Sequence, residues 1–396
     1  MRRLVALDLP GSDGFVDELR RAWDDGDAVL PIDTRLPPPA RDALLASQRP
    51  SVIVHADGSR EDRRDGVPVL DGDALVVATS GTTGDPKGVV LTHAAVHASA
   101  EATSVRLGVD PLSDSWLCCL PVAHIGGLAV ITRALASGTG LRVIPAFDPE
   151  AVALATAQGA TLVSLVPAAL DRLQRQAATA AIDAWRVILL GGSAMPPTSP
   201  PNAVRTYGMT ETGSGVVYDG RPLAGVELAI NDGQVLLRGP MLLRAYRTPV
   251  SEASSEASSE AGPPTPEGID PRTTDGWFAT GDAGRVLEDG SLQVAGRIGD
   301  VIVTGGEKVW PESVERVLAA APGIADVAIG SRPDDRWGAR VVVFVVPTDP
   351  AASPTLDALR AAVKAVLPAY AAPQELVVMK RIPRSAIGKV RRSELR

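Results

Sequence analysis

The chain has 396 residues, 45% of them hydrophobic, more than one hydrophobic core usually supports, so two domains are expected. A net charge of −8 without any Lys/Arg block argues against nucleic acid or an anionic membrane as partner and favours small molecules. No apolar run reaches the roughly 20 residues that span a bilayer, and the N-terminal apolar run is broken by Asp8 and Pro10 before a signal-peptide core forms, so a soluble, cytoplasmic protein is expected.

In chain order, the first informative stretch is Val77-Ala-Thr-Ser-Gly-Thr-Thr-Gly-Asp-Pro-Lys-Gly-Val89. Its glycines admit backbone N–H groups to phosphate oxygens, its hydroxyls donate further hydrogen bonds, and Lys87 adds a compact cation. It is not a Walker A loop, because Pro86 precedes the lysine and Gly88 follows it, where that motif needs Gly-Lys-Ser/Thr. Lysine is scarce, five residues against 34 arginines, so one inside a phosphate-type loop hints that an ammonium is wanted there.

From about Ala74 to Thr212, β-rich apolar runs alternate with amphipathic stretches, an α/β pattern. Strands are predicted at Ala74 to Thr79, Trp116 to Leu120, Leu141 to Ile144, Leu162 to Val166 and Val187 to Leu190, with helix starts at Thr92 and at Asp148-Pro149. Cys118 and Cys119 are adjacent in one of these runs and read as buried thiols. From Val216 to Arg297 the runs shorten and alternate, with hairpin signals at Asn231-Asp-Gly233 and Glu288-Asp-Gly290. Residues 251–266, built of Ser-Glu-Ala units and then prolines, hold no large apolar residue and read as a disordered acidic insertion. Beyond Arg297, a strand at Val301 to Val303, a helix from Glu312 to Ala321, strands near Ala325 to Ile329 and Val341 to Val346, and a helix from Leu356 to Leu367 make a compact α+β unit.

Further segments with matching chemistry follow in order. They are Leu120-Pro-Val-Ala-His124, Leu189-Leu-Gly-Gly-Ser-Ala-Met195, Thr206-Tyr-Gly-Met-Thr-Glu-Thr212, Trp277-Phe-Ala-Thr-Gly-Asp282, Gly296-Arg-Ile-Gly-Asp300 with Gly305-Gly-Glu307, and Pro383-Arg-Ser-Ala-Ile-Gly-Lys389. Together they resemble the acyl-adenylate-forming superfamily over nearly the whole chain. The resemblance implies a large multi-sheet α/β domain with a β-rich subdomain at 1–298 and a small mobile α+β lid at 299–396. It also implies Mg²⁺-bound ATP, a carboxylic acid and CoA as small-molecule partners, and leaves a homo-oligomer open.

It assigns residues as well. Thr79, Ser80, Gly81, Thr82, Thr83, Gly84 and Lys87 would hold the phosphates. Gly191, Gly192, Ser193, Tyr207, Gly208 and Thr210 would hold the adenine side, where Tyr207 offers an aromatic face. Glu211 is a hard oxygen ligand suited to Mg²⁺, Asp282 can accept the ribose hydroxyl protons and Arg297 can donate to ribose or phosphate. Lys87, Glu211 and Lys389 would carry catalysis. His124, Gly126, Ser164, Gly208, Met209 and Thr212 would line the acyl pocket, although His124 could equally be a satisfied core histidine. Gly305 and Gly306 would face CoA, and Gly299 would be the hinge.

Only 78 residues precede Thr79, a short front end for this superfamily. With Leu120 to Gly127 and Val163 to Arg172, it resembles the o-succinylbenzoate:CoA ligases of menaquinone biosynthesis, departing at Ala168-Ala169. Such a substrate keeps a second carboxylate, which needs a cation, a backbone N–H or water that the sequence does not name. With no carrier domain after Lys389, a diffusible thiol, CoA, is the expected acceptor. A CoA ligase for another aryl or medium-chain acid is the alternative, and a silent nucleotide-binding module the alternative of another class.

Overall fold

The structure, a computed structural model, describes residues 2–80, 86–176, 179–192, 198–247, 265–384, 388 and 390–395. Among them, seven strands form a first sheet in the order Ala245–Arg247, Pro86–Thr92, Asp73–Ser80, Ala28–Pro31, Leu4–Asp8, Val52–His55 and Arg60–Asp62. Leu4, Val5, Ala6 and Leu7 are buried, paired in parallel with Ala28–Pro31 on one side and Val52–His55 on the other. A run that the sequence marks only as too short for a signal peptide is thus a central strand, and its unbroken apolar character is that of a strand covered on both faces.

The hairpin Asp73–Ser80 and Pro86–Thr92 pairs Thr79 with Lys87 and Ser80 with Pro86. The stretch read as one loop is therefore two strand ends joined by residues 81–85. Gly88 belongs to the second strand, where a Cβ would overlap the buried Gln48 amide oxygen, so packing requires this glycine.

A second sheet runs in the order Arg221–Pro222, Ser214–Tyr218, Ala203–Met209, Val187–Leu190, Leu162–Leu165, Ser115–Cys118 and Gly140–Val143. Its strands from Ala203–Met209 to Gly140–Val143 are parallel, which demands crossovers. Helices Ile125–Ser137, Pro149–Ala157 and Pro167–Arg175 lie in these connections. The predicted caps are present: Thr92 accepts from the Ala95 N–H at 3.1 Å and Asp148 from the Ala151 N–H at 2.9 Å. Helix His93–Leu107 touches strands of both sheets and packs on Ile125–Ser137, so one core joins the two layers. Cys118 is buried in this core and Cys119 in the neighbouring one on the other face of the second sheet, and burial pushes the Cys118 thiol up to about 12.

The β-rich segment forms a third sheet, Glu227–Asn231, Gln234–Arg238, Phe278–Val286 and Leu292–Arg297, with hairpins at both predicted turns. The C-terminal part has its own core of Ile302, Val314, Leu318, Val343 and Leu359 beneath a short ribbon, a three-stranded sheet and two helices, Pro311–Leu318 and Leu356–Lys364. It meets the rest where Ser313 Oγ donates to the Ala295 carbonyl at 3.3 Å. The mixed α/β class and the small α+β unit agree with the expectation. The insertion predicted at 251–266 lies outside the described residues except for Thr265 and Pro266. No helix among the described residues is long and apolar enough to cross a membrane.

Candidate active site

The three parallel strands Leu162–Leu165, Val187–Leu190 and Ala203–Met209 end on one side, the side on which open α/β sheets bind ligands. Ser164 lies in the first, Gly191 and Gly192 follow the second, and Tyr207, Gly208 and Met209 end the third. Backbone packing is close here. A Cβ on Gly191 would overlap Thr206 Oγ1, and one on Gly208 would overlap the Ser214 carbonyl oxygen.

From the third sheet, register pairs Asp282 directly with Arg297. Arg297 Nε lies 3.0 Å from Asp282 Oδ1, and its Nη1 donates to the Thr280 carbonyl at 2.7 Å. The Tyr207 hydroxyl donates to Asp282 Oδ2 at 2.7 Å, so residues from two sheets meet. Burial, and then the Asp282 carboxylate, push the Tyr207 phenol well above its usual range, which keeps it a donor. A buried carboxylate flanked by an aromatic ring and a guanidinium can take a pair of sugar hydroxyls in exchange for part of this network.

Thr210 and Glu211 lie in the single turn Thr210–Thr212 that follows Met209. Glu211 Oε1 accepts from the Tyr246 hydroxyl at 2.9 Å, and no cation among the described residues pairs with this carboxylate. Lys87 Nζ stands 5.6 Å from the centroid of the same Tyr246 ring. Glu211 suits Mg²⁺ in its chemistry: it is a hard anionic oxygen donor in a half-buried position.

Of the residues expected to line an acyl pocket, Thr212 is fully buried; its hydroxyl accepts from the Met209 N–H at 2.9 Å and donates to the Ser214 carbonyl at 2.6 Å, shaping the turn. His124 precedes helix Ile125–Ser137, partly exposed, with Nε2 3.5 Å from Asp33 Oδ2. Asp33 also takes a two-pronged contact from Arg35 at 2.7 Å, and its carboxyl sits well below the usual range because the neighbouring His124 ring and the Arg35 bonds outweigh burial. Gly126 opens the helix, and a Cβ there would stand 3.5 Å from Leu120 Cδ1.

Sequence reading missed Arg133. It sits on the buried helix Ile125–Ser137 at 3% exposure, with Nη2 2.6 Å from Ser214 Oγ, Nη1 3.4 Å from Ser164 Oγ and its guanidinium 5.6 Å from the Trp116 ring centroid. Among the described residues its Nε has no partner, and no carboxylate pairs with it. A lone charge in an otherwise apolar helix, Leu128-Ala-Val-Ile-Thr-Arg-Ala-Leu135, is the signal that could have found it.

In the C-terminal part, Gly305 and Gly306 have φ of 58° and 85° and turn the ribbon Ile302–Thr304 into Glu307–Val309, with Trp337 against Gly305. Gly299 lies in the turn Ile298–Asp300, where a Cβ would meet nothing within 4 Å. Gly388, at φ 80°, stands next to Ala168, the place where the sequence departs from the ligases it resembles. The side chain of Ser80, residues Gly81, Thr82, Thr83 and Gly84, Ser193 and Lys389 lie outside the described residues.

Residues 64–247 match the AMP-binding enzyme family, and residues 313–389 match the AMP-binding enzyme C-terminal domain. A probable 2-succinylbenzoate–CoA ligase of Mycobacterium tuberculosis (strain CDC 1551 / Oshkosh) is 41% identical over 84% of this chain and 86% of its own. The o-succinylbenzoate CoA synthetase of Bacillus subtilis, solved with its acyl-adenylate intermediate, superposes with a TM-score of 0.80 at 25% identity, over 100% of this chain and 89% of that one. The same synthetase solved with ATP and magnesium gives 0.79 at 24% identity, over 100% and 90%. By these matches along both of its parts, the chain belongs to the AMP-binding enzyme family.

Proposed function

We propose that this chain is an AMP-forming acid–CoA ligase that activates 2-succinylbenzoate with Mg-ATP and passes the acyl group to CoA, the ligase step of menaquinone biosynthesis. Arg133 carries the reading. A buried guanidinium that no carboxylate among the described residues pairs with is costly to hold, and a ligand bringing a carboxylate into contact with it would offset that cost. A substrate with two carboxylates, one reacting and one retained, fits such a pocket, and Ser164 and Ser214 already orient the fork.

The reaction has two steps at one site. With one carboxylate held at Arg133, the other is left to attack the α-phosphorus of ATP, and pyrophosphate departs. No general base is needed, because a carboxylate is ionised at neutral pH, so the task is positioning and charge stabilisation. Tyr207 and the backbone at Gly191 and Gly192 take the purine, Asp282 and Arg297 the ribose, and Lys87 the phosphates. Glu211 would hold magnesium, which when bound screens the phosphate charge. In the second step a thiol attacks the mixed anhydride and AMP leaves, with Gly305 and Gly306 admitting the pantetheine arm. Both cosubstrates being small and soluble, a cytoplasmic address goes with this reading.

A pyrophosphate-release screen over carboxylic acids, with and without CoA, tests it. The highest kcat/KM is expected with 2-succinylbenzoate and thioester only when CoA is present. A higher kcat/KM for benzoate or octanoate would overturn the assignment.

We also place the domain boundary at 298/299 and the hinge at Gly299. Proline there would fix φ near −65° and meet nothing within 4 Å at its Cβ. Gly299→Pro is expected to leave pyrophosphate exchange near the parental rate while thioester formation falls. Parental rates in both half-reactions would put the hinge elsewhere.

A further inference from the structure

Tyr246 is not among the residues the motifs single out, yet its side chain links two that are. Its strand, Ala245–Arg247, is the edge of the first sheet and pairs antiparallel with Pro86–Thr92, Tyr246 opposite Val89. Lys87, two residues before Val89, lies on the same face of its strand, the diagonal arrangement that long and aromatic side chains can bridge. The ring reaches the Lys87 ammonium at 5.6 Å, inside cation–π range, and the hydroxyl reaches Glu211 Oε1 at 2.9 Å. The phenol is thus shared between the end of the phosphate hairpin and the carboxylate suited to magnesium.

The backbone beneath it is held on every side. Tyr246 exchanges both backbone hydrogen bonds with Ile269, at 2.8 and 2.9 Å. Arg244 forks onto the buried Asp73 at 2.7 and 2.9 Å. Arg247, 1% exposed, donates to the carbonyls of Gln48, Val67 and Pro68. A side chain fixed on such a base imposes geometry on its partners. A phenol keeps its proton at neutral pH, so it is the donor to the carboxylate.

We propose that Tyr246 is a positioning residue for nucleotide and metal: its hydroxyl sets the orientation of Glu211, turning the other carboxylate oxygen toward the magnesium of Mg-ATP, while its ring holds the Lys87 ammonium at the phosphates. The inference rests on the ligase reading above. It adds a single residue that aligns the two charges of opposite sign that a metal–triphosphate complex meets.

Two substitutions separate the two contacts. Tyr246→Phe removes the bond to Glu211 and keeps the ring under Lys87; Tyr246→Leu removes both. ATP binding is measured by calorimetry on the full chain with and without magnesium, alongside the magnesium dependence of pyrophosphate exchange. Loss of an outer-shell partner typically weakens metal affinity 10- to 100-fold, so Tyr246→Phe is expected to raise the half-saturating magnesium concentration by about 10-fold or more and to leave metal-free ATP binding unchanged. Tyr246→Leu is expected to weaken metal-free ATP binding as well, by about 2- to 5-fold.

A parental magnesium requirement in Tyr246→Phe overturns the proposal. So does a uniform loss in both variants that follows their melting temperatures. Where the Phe variant is destabilised, a cycle decides: added to Glu211→Gln, Tyr246→Phe should cause no further loss in magnesium response, whereas additive losses overturn the proposal. Absence of magnesium-dependent ATP binding in the parent would instead remove the ligase reading itself, so the two failures are distinct.

Discussion

Arg133→Met is expected to lower kcat/KM for 2-succinylbenzoate by about 10² to 5 × 10³ while changing that for benzoate little. The size follows from leaving a buried charge without its partner, about 3–5 kcal/mol; here the stranded charge is the substrate's spare carboxylate. Benzoate has no such group and so no such loss. The same substitution should not lower the melting temperature, because in the free protein it replaces a 3% exposed guanidinium, paired with no carboxylate among the described residues, by an apolar chain of similar volume. Arg133→Lys keeps the charge but not the fork that reaches Ser164 and Ser214 together, and should fall between the two. Thermal melts and kcat/KM for the two acids, measured in parallel, give the check. Equal losses for both acids with an early melt would make Arg133 a structural residue.

What can be read from the sequence is set by locality. The strand Val187–Leu190 coincides with its prediction, and Thr92 and Asp148 announce their helices, because apolar runs and cap residues act over a few positions. The positions of Tyr207, Glu211, Asp282 and Arg297 follow from motif order, and the structure brings them to one side of the sheets. Their contacts cannot be read in this way: the Tyr207–Asp282 bond spans 75 residues, and Tyr246–Glu211 depends on a strand that joins the first sheet from beyond the second. Gly88 shows the opposite error. In sequence it belongs with a phosphate loop, yet its neighbour in space is Gln48, from a helix outside the motifs. The N-terminal strand Leu4–Asp8 escapes sequence reading because a short apolar run without alternation has no period to detect, and only its two parallel neighbours identify it as a central strand.

Lys389→Ala is expected to separate the two half-reactions. Adenylation builds charge on the oxygens of the transferring phosphoryl group, and one lost donor at such a centre typically costs about 10² to 10³ in rate. Thiolysis of supplied acyl-adenylate needs no donor there and should survive. The residues flanking position 389 are tied down in a way that suits delivering one charge to one place. Arg384 pairs with Val390 across an antiparallel bridge, the Arg391 N–H donates to the Pro383 carbonyl at 2.9 Å, and Arg384 Nη1 donates to the Gly388 carbonyl at 2.8 Å. Arg384 is itself anchored to Asp326 at 2.6 Å, and Arg392 to Glu315 at 2.8 Å, so these two described residues, one on either side of position 389, are fixed to the sheet and helix of their own domain. Removing the ammonium leaves all of these contacts in place, and the melting temperature should not move. Pyrophosphate exchange, the release of AMP from supplied acyl-adenylate with CoA, and a thermal melt together decide the matter: a fall in the first alone assigns Lys389 to adenylation, whereas equal falls in both reactions mean that the substitution has damaged the domain.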